Sequence, residues 1–389
     1  IAVATKHPEA ILSWFLAYPH KSKLIEKGPS GATILLTSGR QVDLRVQSPE
    51  KFGAMLQYFT GSKNHNIHLR EVALKKGLSL SEYGIKHSDT GKIVSYPTEE
   101  KFYAALGLPW IPPELREDQG EIEAALQKKL PQLVETKDIK GDLHIHSNYN
   151  LEPSHDLGAS SLEDILKEAS QRGYAYIGIS DHNPSISHHT KAEIVSILRK
   201  RKSRFEQIIS STKSVRVHLF IMLEVDILPD GKLAIPDEAF DYLDAAIVSI
   251  HSSFGMDKEK MTKRILSGLS HPKAKILAHP TGRLLGSPSF LRTSREGYEV
   301  DWQTVFAFCS SHGKAIEINA HPQRLDLPDS LVKQAIEAGV KLIIDTDSHD
   351  ASQLALMQYG VSVARRGWAS ANDILNTLPY NKFKDWLTK

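Results

Sequence analysis

Histidine and acidic residues stand at the ends of apolar segments in the second part of the sequence. In "KLIIDTDSHD" (341–350) an apolar run ends at Asp347 and His349, and in "GDLHIHS" the residues His144 and His146 are two positions apart. Successive side chains of a strand point to opposite faces, so residues two apart share one face. Each pair therefore presents an imidazole beside a second donor of the kind that binds metal ions.

The same arrangement recurs at the ends of four more apolar segments, where an imidazole or a carboxylate stands at the point at which the segment turns polar. Together the donors are His144, His146, His182, Glu224, His251, His279, Asp347 and His349. Taken singly, His279 could be a hydrogen-bonded core histidine, and Asp347 could cap a helix. Jointly they predict a metal site, because burying so many ionisable groups without cations would be costly.

The number and type of donors indicate which ions and which chemistry fit. Zinc usually takes four ligands, so this many donors predict two or three ions. Imidazole and carboxylate without thiolate suit zinc, manganese or iron. Clustered ions suit hydrolysis of phosphate esters, because one can activate water while the others hold phosphate oxygens. Amide hydrolysis is also chemically possible. Two further acids, Asp226 and Asp345, could orient ligating imidazoles.

A repeated strand and helix pattern positions these donors. We predict strands at 141–147, 174–180, 218–225, 245–252, 274–280, 314–320 and 340–347, and helices such as 161–172, 191–209 and 329–338 between them. Seven strands alternating with helices favour a parallel α/β barrel. The carboxyl ends of barrel strands converge on one mouth, so the donors are expected to meet there.

Composition is typical of a globular protein, with 389 residues, 41% hydrophobic residues and 24% charged residues. This length predicts two or three domains. Cys309 is the single cysteine, which excludes an internal disulfide and favours a reducing, cytoplasmic location. No apolar run is long enough to predict a membrane span. The net charge of +2 means that any nucleic-acid binding must come from local patches.

We divide the chain into four segments on pattern and composition. Residues 1–47 read as mixed helix and strand, with a helix in "PEAILSWFLAYP" and strands in "ATILLT" and "QVDLRV". Residues 48–110 read as mostly helical, including a helix over 61–77 that ends at Gly77. Residues 111–140 are rich in proline and charge and are interpreted as a linker. Residues 141–389 hold the predicted barrel.

The barrel segment resembles the PHP domain (polymerase and histidinol phosphatase). "GDLHIHS", "ISDHN", "LEVDI", "VSIHSSF", "LAHPTGRLLG" and "DTDSH" are similar to its successive motifs, and "ILNTL" is similar to the branch found in bacterial family X DNA polymerases. The PHP fold is a distorted seven-stranded (β/α) barrel. The resemblance therefore implies the same architecture that the strand count predicts.

The resemblance also implies a distribution of ligands over three ions, with Glu224, Asp347 and His349 as catalytic residues. The first ion would be held by His144, His146, Glu224 and Asp347; the second by Glu224, His251 and His279; the third by His182 and His349. The third ion needs one more ligand from the loop after the first strand, and this loop is about five residues longer here than in the family pattern. We choose Asp156, with His155 as the alternative. Arg283 in "HPTGRLL" could contact phosphate or form a structural ion pair.

The N-terminal part resembles the end of the palm and the thumb of a family X DNA polymerase, over residues 33–110. "GRQVDLRV" and "LQYFTGSKNHNIHLREVALKKGLSLSEYGI" carry this likeness. By the resemblance, Asp43 is the third polymerase carboxylate. The residues expected around nucleotide and template are Tyr58, Phe59, Gly61, Asn66 and Arg70.

A family X polymerase also needs an Asp-x-Asp motif, which with the third carboxylate binds magnesium. No such motif precedes Asp43, and Ile1 lies about where the motif would have just ended. We therefore expect a C-terminal fragment of a longer polymerase that does not polymerise alone. A missing N-terminal part of the same protein is a possible partner.

The resemblance implies a metal-dependent phosphodiesterase, most specifically a 3′–5′ exonuclease that processes 3′ ends of gapped or nicked DNA in repair, with manganese or zinc as cofactor. Two alternatives remain. One is a small-molecule phosphatase of the histidinol-phosphatase type, because fold does not fix substrate. The other is a barrel that binds metal without catalysis and only supports the polymerase.

Overall fold

Two units make up the chain, Ile1–Leu130 and Pro131–Lys389. The structure, a computed structural model, describes residues 1–212, 216–286 and 294–389. The unit boundary falls inside the segment 111–140 that reads as a linker. Arg116 pairs with Glu99 of the first unit, whereas the backbone N–H of Val134 donates to Ala369 of the second. Every helix in the described ranges is too short or too polar to cross a lipid bilayer.

The first unit begins with a four-stranded sheet and one helix. Its elements are β1 (Ala2–Ala4), α1 (Pro8–Leu16), β2 (Lys21–Gly28), β3 (Gly31–Leu36) and β4 (Gln41–Gln47). The strand order is β1-β4-β3-β2, and β1 pairs with β4 in parallel. The sequence predicts α1, β3 and β4 but misses the other two strands. Most residues of β2 are exposed, so it carries no alternation of apolar and polar residues, and β1 is only three residues long.

The rest of the first unit is helical with a small antiparallel sheet. Its elements are α2 (Phe52–Thr60), α3 (Lys63–Leu74), β5 (Leu78–Ser81), β6 (Gly84–His87), β7 (Ile93–Val94), α4 (Glu99–Ala105) and α5 (Glu121–Leu126). The helix expected over 61–77 is α3, which begins after the N-cap Ser62. The sheet β5-β6-β7 is not predicted, because its strands are short and half exposed.

A buried carboxylate joins α3 and α5 in the first unit. Oε1 of Glu121 lies 2.6 Å from Nδ1 of His65 and accepts the backbone N–H of Asp118 at 3.0 Å, while Oε2 accepts the N–H of Gln119 at 2.8 Å. Nε2 of His65 lies 2.9 Å from the hydroxyl of Tyr103. Burial alone would raise the pKa of Glu121, but the hydrogen bonds to His65 and the backbone N–H groups lower it.

We therefore expect acid to weaken the first unit through protonation of Glu121. Because its folded pKa is below its unfolded pKa, the carboxylate stabilises the fold above about pH 4.3 and loses that contribution as the pH falls through the folded value. Glu121→Gln should lower the free energy of unfolding at neutral pH by about 1–3 kcal/mol and flatten its acid dependence. Urea denaturation from neutral to acid pH measures both effects. Glu71→Gln, at an exposed position of α3, is the control, and an unchanged acid profile of Glu121→Gln would contradict the prediction.

The second unit contains seven parallel strands whose order in the sheet follows the chain. They are β8 (Gly141–Ile145), β9 (Tyr176–Ile179), β10 (His218–Asp226), β11 (Ala245–Ser249), β12 (Ala274–Leu277), β13 (Ala315–Asn319) and β14 (Lys341–Asp345). Each lies within one of the predicted segments or extends it by a single residue. The predicted seven-stranded α/β barrel is therefore confirmed, and it closes almost completely.

Helices connect and flank the strands. They are α6 (Leu162–Gln171), α7 (Lys191–Ser211), α8 (Lys258–Leu269), α9 (Trp302–His312), α10 (Asp329–Glu337), α11 (Met357–Arg366) and α12 (Tyr380–Thr388). The helices predicted at 161–172, 191–209 and 329–338 are α6, α7 and α10. The start of α7 is a capping box, in which Thr190 accepts the N–H of Glu193 and the side chain of Glu193 accepts the N–H of Thr190.

A short backbone bridge and several side chains, rather than a continuous ladder, close the barrel between its first and last strands. Oδ1 of Asp345 accepts the N–H of Leu143 at 2.7 Å, and Oδ1 of Asp142 accepts the N–H of Thr346 at 3.2 Å. Near the start of β8, the amide of Asn376 donates to the carbonyls at positions 141 and 344, at 2.8 and 2.6 Å. Asn376 belongs to the "ILNTL" motif of the sequence, so that motif seals the seam between β8 and β14.

The interior face of the barrel changes from apolar to ionisable along each strand. On β10 it carries Phe220 and Met222 and then Glu224, and on β14 it carries Ile343 before the face continues to Asp347. The apolar end is filled by the side chains of Leu143, Tyr176, Phe220, Met222, Ile247, Ile276, Ile343, Phe383 and Leu387. The ionisable groups are thus gathered at the carboxyl ends of the strands.

Candidate metal centre

Glu224 lies at the centre of the ionisable end of the barrel, with imidazoles around both of its carboxylate oxygens. The nitrogens near Oε2 are Nδ1 of His182 at 3.0 Å, Nε2 of His144 at 3.2 Å and Nε2 of His146 at 3.5 Å. The nitrogens near Oε1 are Nε2 of His279 at 2.9 Å and Nε2 of His251 at 3.4 Å. One carboxylate therefore faces five imidazoles, which come from the ends of four strands.

Asp347 forms a second centre of donors beside Glu224. Its Oδ1 lies 3.2 Å from Nε2 of His146 and 3.5 Å from Nε2 of His144. Its Oδ2 accepts the side-chain N–H of Asn319 at 3.1 Å and lies 3.2 Å from Nε of Arg324. One oxygen of Asp347 is thus held by two donors, while the other faces the imidazoles.

The long loop after β8 brings Asp156, rather than His155, to the third group of donors. Oδ1 of Asp156 lies 3.4 Å from Nε2 of His182, and Oδ2 lies 3.5 Å from Nε2 of His349. The ring of His155 lies near that of His182, but its Nε2 is directed to Asp226, 3.1 Å from Oδ2. Asp156 is therefore the member of this pair that faces the two histidines expected to hold a third ion.

This arrangement leads us to expect that Asp156→Ala weakens binding of one ion while the others stay bound. Loss of a direct ligand should reduce affinity at that position by at least the 10- to 100-fold typical of losing an outer partner. Titration of metal-stripped protein, with bound ions counted by mass spectrometry, measures this. His155→Ala is the matched control. The assignment is reversed if His155→Ala loses the ion and Asp156→Ala keeps it.

The donors also satisfy a test of fit for divalent cations. Three of them lie within 4.8 Å of one another in each of several groups, including His144 with His146 and Asp347, and His182 with Glu224 and His251. Buried polar atoms normally have hydrogen-bond partners. Here the buried atoms without one include His144 Nε2, His146 Nε2, His182 Nδ1, Glu224 Oε2 and His349 Nε2. Unpaired nitrogen and oxygen donors that converge in this way fit zinc- or manganese-type ions.

Outer carboxylates orient the imidazoles. Nδ1 of His144 lies 2.6 Å from Oε1 of Glu317, and Nδ1 of His251 lies 2.7 Å from Oδ1 of Asp226. Each contact leaves Nε2 of the same ring facing the donor cluster, which is the arrangement that supports metal ligation. The expected role of Asp226 thus fits the structure, whereas Asp345 accepts a backbone N–H at the barrel seam instead of orienting an imidazole. Glu317 was not identified from the sequence, although an acidic residue inside the apolar run "KAIEINA" indicates a buried carboxylate with a polar partner.

The electrostatics of the cluster favour the ionised, metal-binding forms of its inner carboxylates. Burial alone would raise the pKa of Glu224, but His182 and His144 hold it well below its usual range. Burial alone would likewise raise the pKa of Asp347, but His144 and His146 lower it well below its usual range. Burial lowers the pKa of His146 well below its ordinary value. At neutral pH the two carboxylates are therefore ionised and the imidazole of His146 is neutral, as ligation requires. Burial opposes, but the nearby carboxylates outweigh it, so the pKa values of His144 and His182 are raised, and these two rings must release protons when a cation binds.

In the first unit, the structure brings several of the predicted nucleotide-contacting residues together. The rings of Tyr58 and Phe59 lie edge to face, with centroids 5.1 Å apart. The guanidinium of Arg70 lies over Tyr58, and the amide of Asn66 donates to the carbonyl of Tyr58 at 2.8 Å. Gly61 is the C-cap of α2, which ends beside these rings. They form an aromatic and basic cluster around the end of α2 and the body of α3.

Asp43 lies on β4 with an exposed carboxylate. Thr33 and Gln41 donate to it at 2.5 and 3.1 Å, and these hydrogen bonds lower its pKa. On the same strand, Arg45 lies over the ring of Phe59, with 5.2 Å between the guanidinium carbon and the ring centroid. Sequence reasoning missed Arg45, which connects the strand of Asp43 to the aromatic cluster.

Comparison with known proteins finds a family match in each of the two units. The family described as DNA polymerase beta thumb matches residues 55–117, and the PHP domain family matches residues 142–321. The DNA polymerase/3'-5' exonuclease PolX of Bacillus subtilis is 35% identical over 378 residues, which cover 96% of this chain. The chain belongs to the family X DNA polymerases. This family X chain spans 63% of the length of the Bacillus protein.

Other relatives match one half of the family X chain or the other. The DNA polymerase lambda of Rattus norvegicus is 33% identical over 88 residues, 20% of this chain and 15% of that protein. A probable phosphatase of Thermoanaerobacter sp. (strain X514) is 24% identical over 238 residues, 59% of this chain and 88% of that protein. The family X chain thus shares its barrel with proteins named as phosphatases.

Proposed function

We propose that the barrel of this chain is a metal-dependent phosphodiesterase that removes nucleotides from the 3′ ends of DNA, as part of a polymerase that acts in DNA repair. The observation that carries the proposal is the convergence of unpaired donor atoms around Glu224 and Asp347. Support comes from the relative in Bacillus subtilis, whose name combines a DNA polymerase with a 3'-5' exonuclease.

The donors divide naturally among two or three ions, with manganese or zinc as the proposed metal. We assign His144, His146 and Asp347 to the first ion, and His251 and His279 to the second, with Glu224 between them. Asp156, His182 and His349 are assigned to the third. When bound, such ions activate water and neutralise charge on phosphate oxygens.

The residues of the chain prepare the site for this chemistry. Glu317 and Asp226 hold the rings of His144 and His251, so that their Nε2 atoms face Glu224 at the centre of the donor cluster. Asn319 holds one oxygen of Asp347 and leaves the other toward the imidazoles. The inner carboxylates are ionised at neutral pH, whereas the carboxylates around His144 and His182 raise the pKa of these rings, which therefore release protons when a cation binds.

The first unit supplies the proposed DNA contacts. Tyr58, Phe59 and Arg70 combine aromatic faces with positive charge, which suits stacking and phosphate contact. Asn66 completes the cluster beside Gly61. Binding through phosphates makes the affinity for DNA fall as salt increases. Asp43 is proposed as one of the carboxylates of a magnesium-dependent polymerase site.

A small-molecule phosphatase is the second candidate. The observation in its favour is the probable phosphatase of Thermoanaerobacter sp., 88% of whose length aligns with this chain. Such an enzyme needs no cluster of aromatic and basic residues for DNA, so the first unit weighs against it. Comparing rates on a phosphate monoester and on a DNA oligomer separates the two activities.

The test is a nuclease assay on a DNA oligomer labelled so that shortening from the 3′ end is seen. Metal-stripped protein is assayed with manganese, zinc or magnesium added back, beside Asp347→Ala and the exposed control Asp385→Ala. Stepwise shortening that only Asp347→Ala abolishes supports the proposal. Cleavage of a phosphate monoester without shortening of DNA favours the phosphatase. Bound metal without either activity indicates that the barrel has no catalytic role and only supports the polymerase.

A further inference from the structure

Arg283, the arginine that the sequence suggests for phosphate contact, donates two hydrogen bonds to the backbone. Its Nε donates to the carbonyl of Arg324 at 2.9 Å, and its Nη2 donates to the carbonyl of Leu325. Both acceptors lie in the loop that follows β13. The guanidinium of Arg283 therefore braces this loop instead of facing the donor cluster.

The braced loop is fixed at several further points. The backbone N–H of Arg324 donates to His321 at 2.8 Å, and Leu325, with a φ of 42°, turns the chain sharply after it. Asp326 then accepts the N–H groups of Thr281 and Gly282 at 2.9–3.1 Å. Because of these contacts, the backbone of Arg324 has little freedom.

The side chain of Arg324 extends from this loop to the metal-ligand cluster. Its Nε lies 3.2 Å from Oδ2 of Asp347, and only 19% of the side chain is exposed. Among the described residues, Asp347 is the ion-pair partner of Arg324, and the two terminal nitrogens of Arg324 donate no hydrogen bond to them. Arg324 also contributes a positive charge that lowers the pKa of His279, after the larger effect of burial, so its guanidinium is close to both donors.

We propose that Arg324 binds a nonbridging oxygen of the substrate phosphate, and that Arg283 is a positioning residue that holds the Arg324 loop. This inference rests on the proposed phosphoesterase function and names a further residue of that site. A guanidinium can keep its ion pair through Nε while its terminal nitrogens donate to phosphate, a geometry that lysine cannot reproduce. A fixed cation here also offsets the repulsion between a phosphate and the carboxylates of Asp347 and Glu224.

The alternative is that Arg324 only orients Asp347 for metal binding, and phosphate affinity separates the two roles. Binding of inorganic phosphate to manganese-loaded protein is measured by calorimetry for wild type, Arg324→Ala and Arg324→Lys, with bound manganese counted in each sample. We expect Arg324→Ala to raise the Kd for phosphate by about 10- to 100-fold with manganese content unchanged. Arg324→Lys should recover only part of this loss. Arg172→Ala, which removes the arginine at the C-cap of α6, is the matched control.

An unchanged Kd, or a lower manganese content that accounts for weaker phosphate binding, overturns the proposal. Hydrolysis gives a second readout: Arg324→Ala should lose about 100-fold in kcat/KM on DNA, the scale of losing one donor to a reacting oxyanion. Added guanidinium ion should restore part of that loss. If wild-type protein binds phosphate through Arg324 but does not shorten DNA, the exonuclease proposal fails and the role of Arg324 stands.

Discussion

Glu224→Gln is expected to release ions from the barrel and to abolish hydrolysis. The carboxylate of Glu224 lies between the donors assigned to the first and second ions, with an imidazole nitrogen within 3.5 Å of each oxygen. An amide keeps the shape of the side chain but removes its charge and turns an N–H group toward nitrogen donors. The expected fall in metal affinity exceeds about 100-fold, beyond the effect of losing an outer partner.

Counting bound manganese after dialysis, in parallel with the 3′-shortening assay, measures both effects of Glu224→Gln. Glu317→Gln is the graded comparison, because Glu317 contacts His144 from outside the cluster and its loss should cost about 10- to 100-fold. If Glu224→Gln keeps the full complement of ions, Glu224 does not bridge them, and the assignment of ligands must be redrawn.

Arg201→Met should cause the largest loss of stability in the second unit. Arg201 on α7 is fully buried, and its Nη1 and Nη2 donate to the carbonyls of Met222 and Ile179 at 2.8 and 3.0 Å. Its Nε donates to Asp181 at 2.9 Å. Removing the guanidinium leaves a buried carboxylate without its partner, which costs about 3–5 kcal/mol.

Chemical denaturation of the full chain measures the effect of Arg201→Met. Arg199→Met, an exposed position on the same helix, should change the free energy of unfolding by no more than about 0.5 kcal/mol. Adding Asp181→Asn to Arg201→Met should recover part of the loss, because the unpaired charge is then absent. Equal denaturation midpoints for the Arg201 and Arg199 variants would refute a structural role for the buried ion pair.

The barrel could be predicted from the sequence because its strands are buried on both faces. Each of the seven strands is a short run of apolar residues followed by a polar residue and a helix, so the pattern marks both its position and its direction. The strands β2 and β7 lie on small sheets with largely exposed residues, and nothing in their sequence distinguishes them from loops. Strands whose residues are buried could therefore be predicted from the sequence, whereas strands whose residues are exposed could not.

The donor cluster could be predicted for a related reason, and its supporting residues mostly could not. His144, Glu224 and Asp347 stand where an apolar strand ends, and the barrel brings all strand ends to one mouth. Arg324 lies in a loop whose path depends on contacts with Asp326 and Arg283, and local sequence does not encode those contacts. Residues placed by the backbone of a strand are thus predictable, whereas residues placed by loop packing are not.

The side-chain seam between β8 and β14 gives bound ions a mechanical role in the barrel. His144 and His146 belong to the first strand and its end, and Asp347 follows the last strand, about 200 positions later in the chain. An ion held by these three residues is a cross-link that closes a loop of that length, and closing a long loop restricts the unfolded chain strongly. The proposed metal ligands would therefore also tie the first strand of the barrel to the last, at the seam where side chains replace a continuous backbone ladder.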